Sequence, residues 1–129
     1  MRETISAKIE AFAKGRKFSY ATNIVPTELA GGLKYPCILW VAPDAEYRAN
    51  QGRWVFRSTF YIVENKVKDD QVAGVLDKLE DVARDLYMMV RDDEYIYAES
   101  SMTCRPKVGF DNTGAVAVEF TFTIYANEC

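Results

Sequence analysis

Histidine is absent from this sequence of 129 residues, and only three cysteines are present. Without histidine, a Ser-His-Asp triad and a Cys-His pair cannot form, and the commonest general base near neutral pH is missing. The usual zinc sites are also disfavoured, because no Cys-x-x-Cys pair compensates for the missing imidazole groups. The sequence likewise lacks a P-loop, a GxGxxG turn and the spacing of an EF-hand. We therefore predict no catalytic residue, no metal site and no cofactor, although carboxylates could still serve as acids, bases or ligands.

Strong positive charge and long apolar runs are lacking as well. The formal net charge is −3, whereas proteins that bind nucleic acid through its phosphates normally carry a basic face. No apolar run approaches the roughly 20 residues that span a bilayer, and the segment after Met1 is mixed and polar, without the apolar region of a signal peptide. The sequence predicts no nucleic-acid partner and no membrane partner.

The three cysteines are far apart and odd in number, which is typical of reduced thiols in the cytosol rather than of a disulfide framework. Cys37 and Cys104 lie in apolar or alternating segments, where burial as small hydrophobic side chains is expected. A reactive thiolate is the alternative at Cys104, since Arg105 and Lys107 supply neighbouring positive charge. Cys129 is the last residue of the sequence, and we expect it to be exposed.

The pattern of apolar residues predicts a single domain, residues 1–129. Its predicted elements, in chain order, are a helix from Glu3 to Gly15, a strand from Phe18 to Ile24, a loop from Pro26 to Leu33, a strand from Cys37 to Val41, a polar connection over Asp44–Gly52, a strand from Arg53 to Val63, a helix from Asp70 to Asp92, and a hairpin whose first arm is Tyr95–Phe110. Prolines flank the strand at Cys37–Val41, and its continuous apolar run indicates cover on both faces.

Two periodicities determine the predicted fold class. After a turn at Asp111–Gly114, apolar and polar side chains alternate from Val116 to Tyr125, which indicates a half-buried antiparallel strand. From Val72 to Val90, apolar residues recur at a spacing of about 3.6, which indicates an amphipathic helix. Strands grouped beside two helices favour an α+β fold: a mostly antiparallel sheet of about four to five strands with both helices packed on one face.

Two acidic clusters allow two interpretations. Asp92, Asp93 and Glu94 form the densest cluster, Asp69-Asp70 is another, and carboxylates of this kind bind divalent cations. Alternatively, Asp69 or Asp70 caps the second helix and the later cluster solvates its exit. We prefer this interpretation, because it explains the positions without an ion. The acids after the helix lie at the unfavourable end of its dipole, which points to a cationic partner from this chain or another subunit.

A further pattern runs over most of the chain. A helix and a loop are followed by an aromatic–proline strand, a connection that contains tyrosine, a strand that starts at tryptophan, an amphipathic helix and a terminal hairpin. The segments concerned are Tyr35–Trp40, Tyr47, Trp54–Val63 and, at the end of the hairpin, Phe120–Tyr125. In this order and size, the chain resembles the tail-terminator and tail-completion proteins of long-tailed bacteriophages, such as that of phage lambda.

The resemblance implies a tail-terminator-like fold and a structural protein of the virion rather than an enzyme. Such a protein closes the head-proximal end of the tail tube as a ring of identical subunits, usually a hexamer, and presents a surface to the head connector. Its partners would be itself, the tail tube and the head-connector proteins. Its location would be the virion tail, or the host cytoplasm during assembly.

A ring would join two different patches of neighbouring subunits. The candidate interface residues are Tyr47, Arg48 and Arg53 on one side and Asp92, Asp93 and Glu94 on the other. Two other functions stay open. One is a small-molecule-binding or enzymatic α+β domain with a pocket between the long helix and the sheet, for which Ser58, Ser100 and Arg57 are the few polar candidates. The other is an adaptor of a related secretion or conjugation apparatus.

Overall fold

The computed structural model describes residues 1–22, 34–41, 44–65, 67–110 and 115–127, with the side chains of 108–110 excepted. The elements of the described residues are α1 (Arg2–Gly15), β1 (Ser19–Thr22), β2 (Cys37–Val41), β3 (Ala45–Arg48), β4 (Arg53–Glu64), a 3₁₀ turn (Asp69–Gln71), α2 (Val72–Arg91), β5 (Ile96–Ala98), β6 (Thr103–Phe110) and β7 (Ala115–Asn127). The predicted α+β class is confirmed.

The described strands form one sheet of seven, more than the four to five that the sequence predicts. They fill only five positions across the sheet, because short strands lie end to end. The long strands β4 and β7 pair along twelve residues in the centre. β2 and β3 share the other side of β4, and β5 and β6 share the other side of β7. The pair β1–β2 is parallel and all other pairs are antiparallel, so the sheet is mostly antiparallel, as predicted.

The first of the two missed features is β3, which lies inside the predicted polar connection Asp44–Gly52. This strand pairs with the start of β4, where Gly52 adopts a φ of 60°, a left-handed conformation that favours glycine in hairpin turns. Only Tyr47 in β3 is a large apolar residue. The strand therefore lacks the alternation by which a half-buried strand is detected, and its pairing with β4 holds it in place.

The second missed feature is the break in the arm that the sequence predicts over Tyr95–Phe110. The structure divides this arm into β5 and β6, and residues 99–102 between them are not strand. Glu99 spans the break: its backbone N–H donates to the Thr123 carbonyl, and the Thr123 N–H donates to Glu99 Oε1 over 2.9 Å. A carboxylate therefore accepts the hydrogen bond that a strand carbonyl would otherwise take.

Both helices pack on one face of the sheet, as predicted. α1 contributes Ile5, Ile9 and Ala13, all fully buried, and α2 contributes a continuous stripe from Leu79 to Val90. These side chains and the inward residues of the strands form the main core. Helical spacing of apolar residues places them on one stripe, which is why the sequence predicts both helices.

The expected cap of α2 by Asp69 or Asp70 is wrong. Both acids lie within the 3₁₀ turn that leads into α2, and neither the 3₁₀ turn nor α2 has a side-chain hydrogen bond at its cap residue, Lys68 or Gln71. Acidic residues in this first turn still interact favourably with the positive end of the helix dipole. Their position has an electrostatic explanation without a cap.

Stacked aromatic rings fill the layer between α2 and the centre of the sheet. The Phe60 ring lies 4.8 Å from Phe120 and 5.1 Å from Phe122, nearly parallel to both, and Tyr87 of α2 meets Phe122 edge-on at 5.2 Å. Such arrangements stabilise by about 0.5–1.5 kcal/mol per pair beyond the area that they bury. The core here is closely packed with apolar side chains.

The second face of the sheet carries a smaller apolar cluster at the end where β2 lies. Its buried members are Cys37, Leu39, Val63, Ala115 and Ala117. Since Ile38 and Trp40 lie in the main core, β2 is covered on both faces, which confirms the prediction from its continuous apolar run. The charged part of this second face lies at the opposite end, around the start of β4.

Some predicted features lie outside the described residues: the loop at Pro26–Leu33, the turn at Asp111–Gly114, the exposure of Cys129 and the extension of β1 to Ile24. Among the helices that are described, none has the length and apolar character needed to span a membrane.

Candidate interaction surface

The sheet face opposite the helices, here called the far face, carries alternating charged, hydroxyl and tyrosine side chains near the start of β4. Strand alternation places Arg53 and Arg57 of β4 on this face, with Tyr125 of β7 beside Val55. In the described part of the chain, the buried side chains of both helices belong to the opposite layer. The part of the far face near the start of β4 is therefore a surface on which a polar partner could lie.

Arg53 is held by two tyrosines rather than by an acid. Its guanidinium carbon lies 4.4 Å from the ring centre of Tyr125 and 5.7 Å from that of Tyr97, and Nη1 donates a hydrogen bond to the Tyr97 hydroxyl. The two rings stack on each other with 5.0 Å between their centres. Cation–π contacts of this kind contribute about 0.5–2 kcal/mol. Arg53 Nε is buried and has no hydrogen-bond partner among the described residues.

Arg48 and Arg57 share one carboxylate, that of Glu46. Arg57 Nη1 lies 3.1 Å from Glu46 Oε2, and Arg48 Nε lies 3.4 Å from Glu46 Oε1. The hydrogen bonds from Arg57 and then Arg48 lower the pKa of Glu46 below its usual value, against a small opposing effect of burial. Glu46 therefore keeps its charge to lower pH than an ordinary glutamate, and its single charge can neutralise only one of the two cations.

Asp93 binds within its own chain. Its Oδ1 accepts the backbone N–H of Tyr95 over 2.9 Å and that of Ile96 over 3.3 Å, and its Oδ2 lies 2.9 Å from Lys8 Nζ. Burial is the largest single influence and raises the pKa of Asp93. The hydrogen bonds from Tyr95, Lys8 and Ile96 outweigh it, so the pKa lies below its usual value. Of the three acids for which the sequence predicts a cationic partner, Asp93 has one in Lys8 of α1.

Asp92 and Glu94 flank Asp93 and face solvent. Both are exposed, and neither makes an ion pair with another described residue. Among the described residues, no three carboxylate or thiol side chains converge closely enough to hold a metal ion. The cluster that the sequence singles out is thus divided into one inward acid and two outward acids.

Two large tyrosines are exposed at the same end of the sheet. Tyr47 of β3 is 42% exposed and packs its ring 5.0 Å from that of Trp54. Tyr95, just before β5, is 54% exposed, with Lys8 Nζ 5.7 Å from its ring centre. Tyrosine offers a large contact area and a polar hydroxyl, and it is enriched at protein interfaces.

The structure places all six predicted interface residues at one end of the sheet but does not bring the two groups together. Strands β4 and β7 lie between β3 and β5, so three strand spacings of about 4.8 Å each separate Tyr47 and Arg48 from β5, and two separate Arg53 from it. Sequence reasoning missed Glu46, Arg57, Tyr97 and Tyr125 as parts of the surface. Arg53 and Arg57 are four residues apart in one predicted strand, so the sequence alone could have placed both on the same face. The pairing of Tyr97 with Tyr125 could not be predicted in this way, because it depends on the register between two strands.

The other chemical candidates do not converge. Ser58 is buried, but its hydroxyl accepts the Trp40 indole N–H over 2.9 Å and donates to the Phe56 carbonyl. Arg57 and Ser100 are exposed, and strand alternation places Arg57 on the far face. Polar groups that could line a pocket between helix and sheet are therefore not gathered among the described residues.

Cys104 faces the helices, whereas strand alternation places Arg105 and Lys107 on the far face. Burial raises the pKa of the Cys104 thiol, and the carboxylate of Glu80 raises it further. The adjacent cations therefore do not activate this thiol, contrary to the alternative that the sequence left open.

A shallow depression on the far face, of about 290 Å³, is lined by Arg57, Ser58, Thr59, Glu99, Thr121, Phe122 and Thr123. Further depressions run along the outer side of α1. Comparison of the chain with protein-family models and with curated proteins finds no match.

Proposed function

We propose that this protein is a non-enzymatic structural protein of a phage or prophage virion. Its role would be to terminate or complete the tail tube at the head–tail junction by forming a ring with copies of itself. Its further partners would be the tube and the head connector, and its location the virion tail, or the host cytoplasm during assembly. The observation that carries this proposal is the far face, a wide polar and aromatic sheet surface beside which no described helix packs.

The character of that surface supports assembly rather than chemistry. It carries arginine and tyrosine beside threonine, and arginine and tyrosine are enriched among the few interface residues that supply most of the binding energy. Tyr47 and Tyr95 extend the surface around the end of the sheet, where each exposes about half of its area. The sheet and helices supply a rigid platform for these side chains.

The packing of the core supports the same proposal. The phenylalanine stack of Phe60, Phe120 and Phe122 fills the space in which a ligand-binding α+β domain would hold its substrate. The described polar group in that layer, Ser58, already uses its hydroxyl as donor and acceptor. Buried polar groups of a binding site are expected to be free to meet the ligand.

The resemblance to tail-terminator proteins supplies the specific role. The described residues form an α+β fold in which an amphipathic helix lies between the tryptophan-started strand and a terminal β-structure, which is compatible with the resemblance. An α+β fold with two helices on one face is compatible with many functions. The specific role therefore rests on the resemblance and needs a direct test.

Inactivation of the gene in a phage that carries it tests the role. We expect tails of uncontrolled length that do not join to heads, since nothing would stop tube polymerisation. Virions of normal length and infectivity would overturn the proposal. Light scattering on the purified protein under reducing conditions, with electron micrographs, measures the ring directly, and a discrete species with the mass of several subunits is expected.

A small-molecule-binding domain is the second candidate, and the depression lined by Arg57, Thr59, Glu99, Thr121 and Thr123 is the observation that favours it. A screen of polar metabolites by thermal denaturation tests it, because a ligand that binds only the folded state raises the melting temperature. Arg57→Ala should abolish such a shift. Genes for tail tube, tape measure or portal proteins beside this gene would favour the virion role over an adaptor of a secretion or conjugation apparatus.

A further inference from the structure

We propose that the Arg48–Glu46–Arg57 cluster on the far face docks against Asp92 and Glu94 of a second copy of this chain. The inference rests on the proposed function, since it specifies the contact by which subunits of the ring would associate. It differs from the interface expected from sequence in two ways. Arg53 and Asp93 are left out, because both are engaged within the chain, and Arg57 is added to the basic residues.

The far face is positively charged although the chain as a whole is not. Among the described residues that the strand register and the far-face depression place on it, the cationic side chains are Arg48, Arg53, Arg57, Arg105 and Lys107, and the acidic ones are Glu46, Glu99 and Glu119. The face thus carries a net charge of +2, from five cations and three acids, on a chain whose formal net charge is −3. A second molecule presents acidic surface to this face.

The charge is concentrated at the β3–β4 hairpin. Arg48 lies directly opposite Arg53 in the strand register, an arrangement of like charges that is normally unfavourable. Tyrosine rings rather than a carboxylate accommodate Arg53, and Glu46 must serve both Arg48 and Arg57. The Arg57 side chain is 63% exposed, so its guanidinium can accept a further carboxylate. Acids from a partner would complete this cluster.

The matching acids are Asp92 and Glu94, at the exit of α2. Asp92 and Glu94 are exposed and make no ion pair with a described residue, whereas Asp93 between them is fixed to Lys8 and to two backbone N–H groups. The fixed acid ties this turn to α1 and to the start of β5. The negative end of the α2 dipole adds to the potential of the two outward carboxylates, and a cation placed there would relieve it.

The positions of the two patches favour a contact between different surfaces of successive molecules. The basic patch lies beside β3 and the acidic patch beside the start of β5, on opposite sides of the central pair β4–β7. Tyr95 adjoins the acidic patch in sequence, and Tyr47 is exposed on the opposite face of β3 from Glu46 and Arg48. Arginine and tyrosine are both enriched at binding hot spots.

A nucleic acid fits this face less well than a second copy does. Bases bind single aromatic faces by stacking, but the rings of Tyr97 and Tyr125 stack on each other and Arg53 covers Tyr125. The net charge of the chain also opposes a polyanion. Retention of a fluorescent oligonucleotide by the wild-type protein, lost in the Arg48→Glu/Arg57→Glu variant, would overturn the inference.

Two charge-reversal variants test the contact. One carries Arg48→Glu and Arg57→Glu, and the other carries Asp92→Lys and Glu94→Lys. Each alone should associate at least about tenfold more weakly than wild type, because like charges would then meet. Mixed in equal amounts, the two variants should associate again, since every contact between unlike copies pairs opposite charges. Analytical ultracentrifugation measures both effects, and circular dichroism checks that each variant is folded.

Matched variants control for charge alone. Arg105→Glu/Lys107→Glu is the control for the arginine variant: it makes the same change of charge on the same face, but at β6. Asp77→Lys/Asp81→Lys is the control for the acidic variant: it makes the same change of charge on the outer side of α2. Neither should affect association. If the mixture fails to associate, if the controls weaken association equally, or if the wild type stays monomeric at every concentration, the inference is overturned. A strict dimer joined by this contact would support the inference and contradict a ring, which separates the two proposals.

Discussion

Lys8 Nζ lies 2.9 Å from Asp93 Oδ2, although 85 residues separate them in the sequence. The pair joins the middle of α1 to the turn after α2. It also explains how an acid is accommodated at the negative end of a helix dipole, since a lysine from the neighbouring helix and two backbone N–H groups surround the carboxylate. The same contact orients the turn that presents Asp92 and Glu94.

Asp93→Ala should lower the free energy of unfolding by about 1–3 kcal/mol, because the substitution leaves the Tyr95 and Ile96 N–H groups and Lys8 without their acceptor. The exposed neighbour provides the control: Asp92→Ala should change the free energy by no more than about 0.5 kcal/mol. Urea denaturation followed by circular dichroism measures both. Equal effects of the two substitutions would contradict the role given to Asp93.

The stabilisation by Asp93 should depend on pH. The folded state lowers the pKa of Asp93 below its usual value of 3.8, so the unfolded state binds the proton more readily. The contribution is therefore fully present above the unfolded pKa and is lost as the pH falls through the lower, folded pKa. The stability difference between wild type and Asp93→Asn should shrink as the pH is lowered through this acidic range. A difference that grows with acidity would contradict this linkage.

Ser58→Ala should destabilise the protein by about 1–3 kcal/mol, although it removes a single oxygen atom. The Trp40 indole N–H, fully buried, donates to that oxygen over 2.9 Å and would be left without an acceptor. Trp40→Phe in the Ser58→Ala background removes the unpaired donor as well. We expect a double-mutant cycle in urea to give a coupling energy of about 1 kcal/mol. A coupling energy near zero would mean that the hydrogen bond contributes little.

The sequence predicts the elements whose own side chains carry a strong period. The stripe of α2 and the alternation of β7 are visible without knowledge of any partner, and the apolar run of β2 is equally clear. β3 and the division between β5 and β6 are not visible, because these short strands are stabilised by pairing with β4 and β7 rather than by their own pattern. Pairing depends on register, which local sequence specifies weakly.

The candidate surface, too, is predictable only in part. The sequence locates it, because Arg48 lies inside the predicted connection Asp44–Gly52 and Arg53 directly follows it. The partners of these side chains depend on distant parts of the chain. Tyr97 approaches Arg53 from 44 residues away, and Lys8 approaches Asp93 from 85 residues away. These contacts decide which charges are engaged within the chain and which remain for a partner.

Glu99 should protect the Thr123 amide from hydrogen exchange. Glu99→Ala removes the acceptor of the Thr123 N–H at the break between β5 and β6. We expect this amide to exchange about fivefold faster, which corresponds to about 1 kcal/mol of local stability. Glu99→Gln keeps an oxygen at Oε1 and should retain most of the protection. Amide exchange measured by NMR distinguishes the two, and equal protection in wild type and the Ala variant would contradict the role of this carboxylate.

Tyr61 should be among the last tyrosines to ionise in alkali. Burial raises the pKa of Tyr61 to about 12, and the Glu119 carboxylate, which accepts a hydrogen bond from its hydroxyl, contributes to the rise. Because the unfolded state has the ordinary pKa of 10.0, the stability that Tyr61 gives is present below that pH. It is lost as the pH rises towards the folded value.

Ultraviolet absorbance of tyrosinate measures this titration, and Tyr61→Phe should remove a step near pH 12 from the curve. Glu119→Gln should move the same step to lower pH, because the charge that opposes ionisation is gone. Glu64→Gln is the matched control: Glu64 lies in β4, the strand of Tyr61, but on the face toward the helices, so the step should stay in place. A Tyr61→Phe curve that loses a step near pH 10 instead would show that the hydroxyl is solvated and that Glu119 does not hold it.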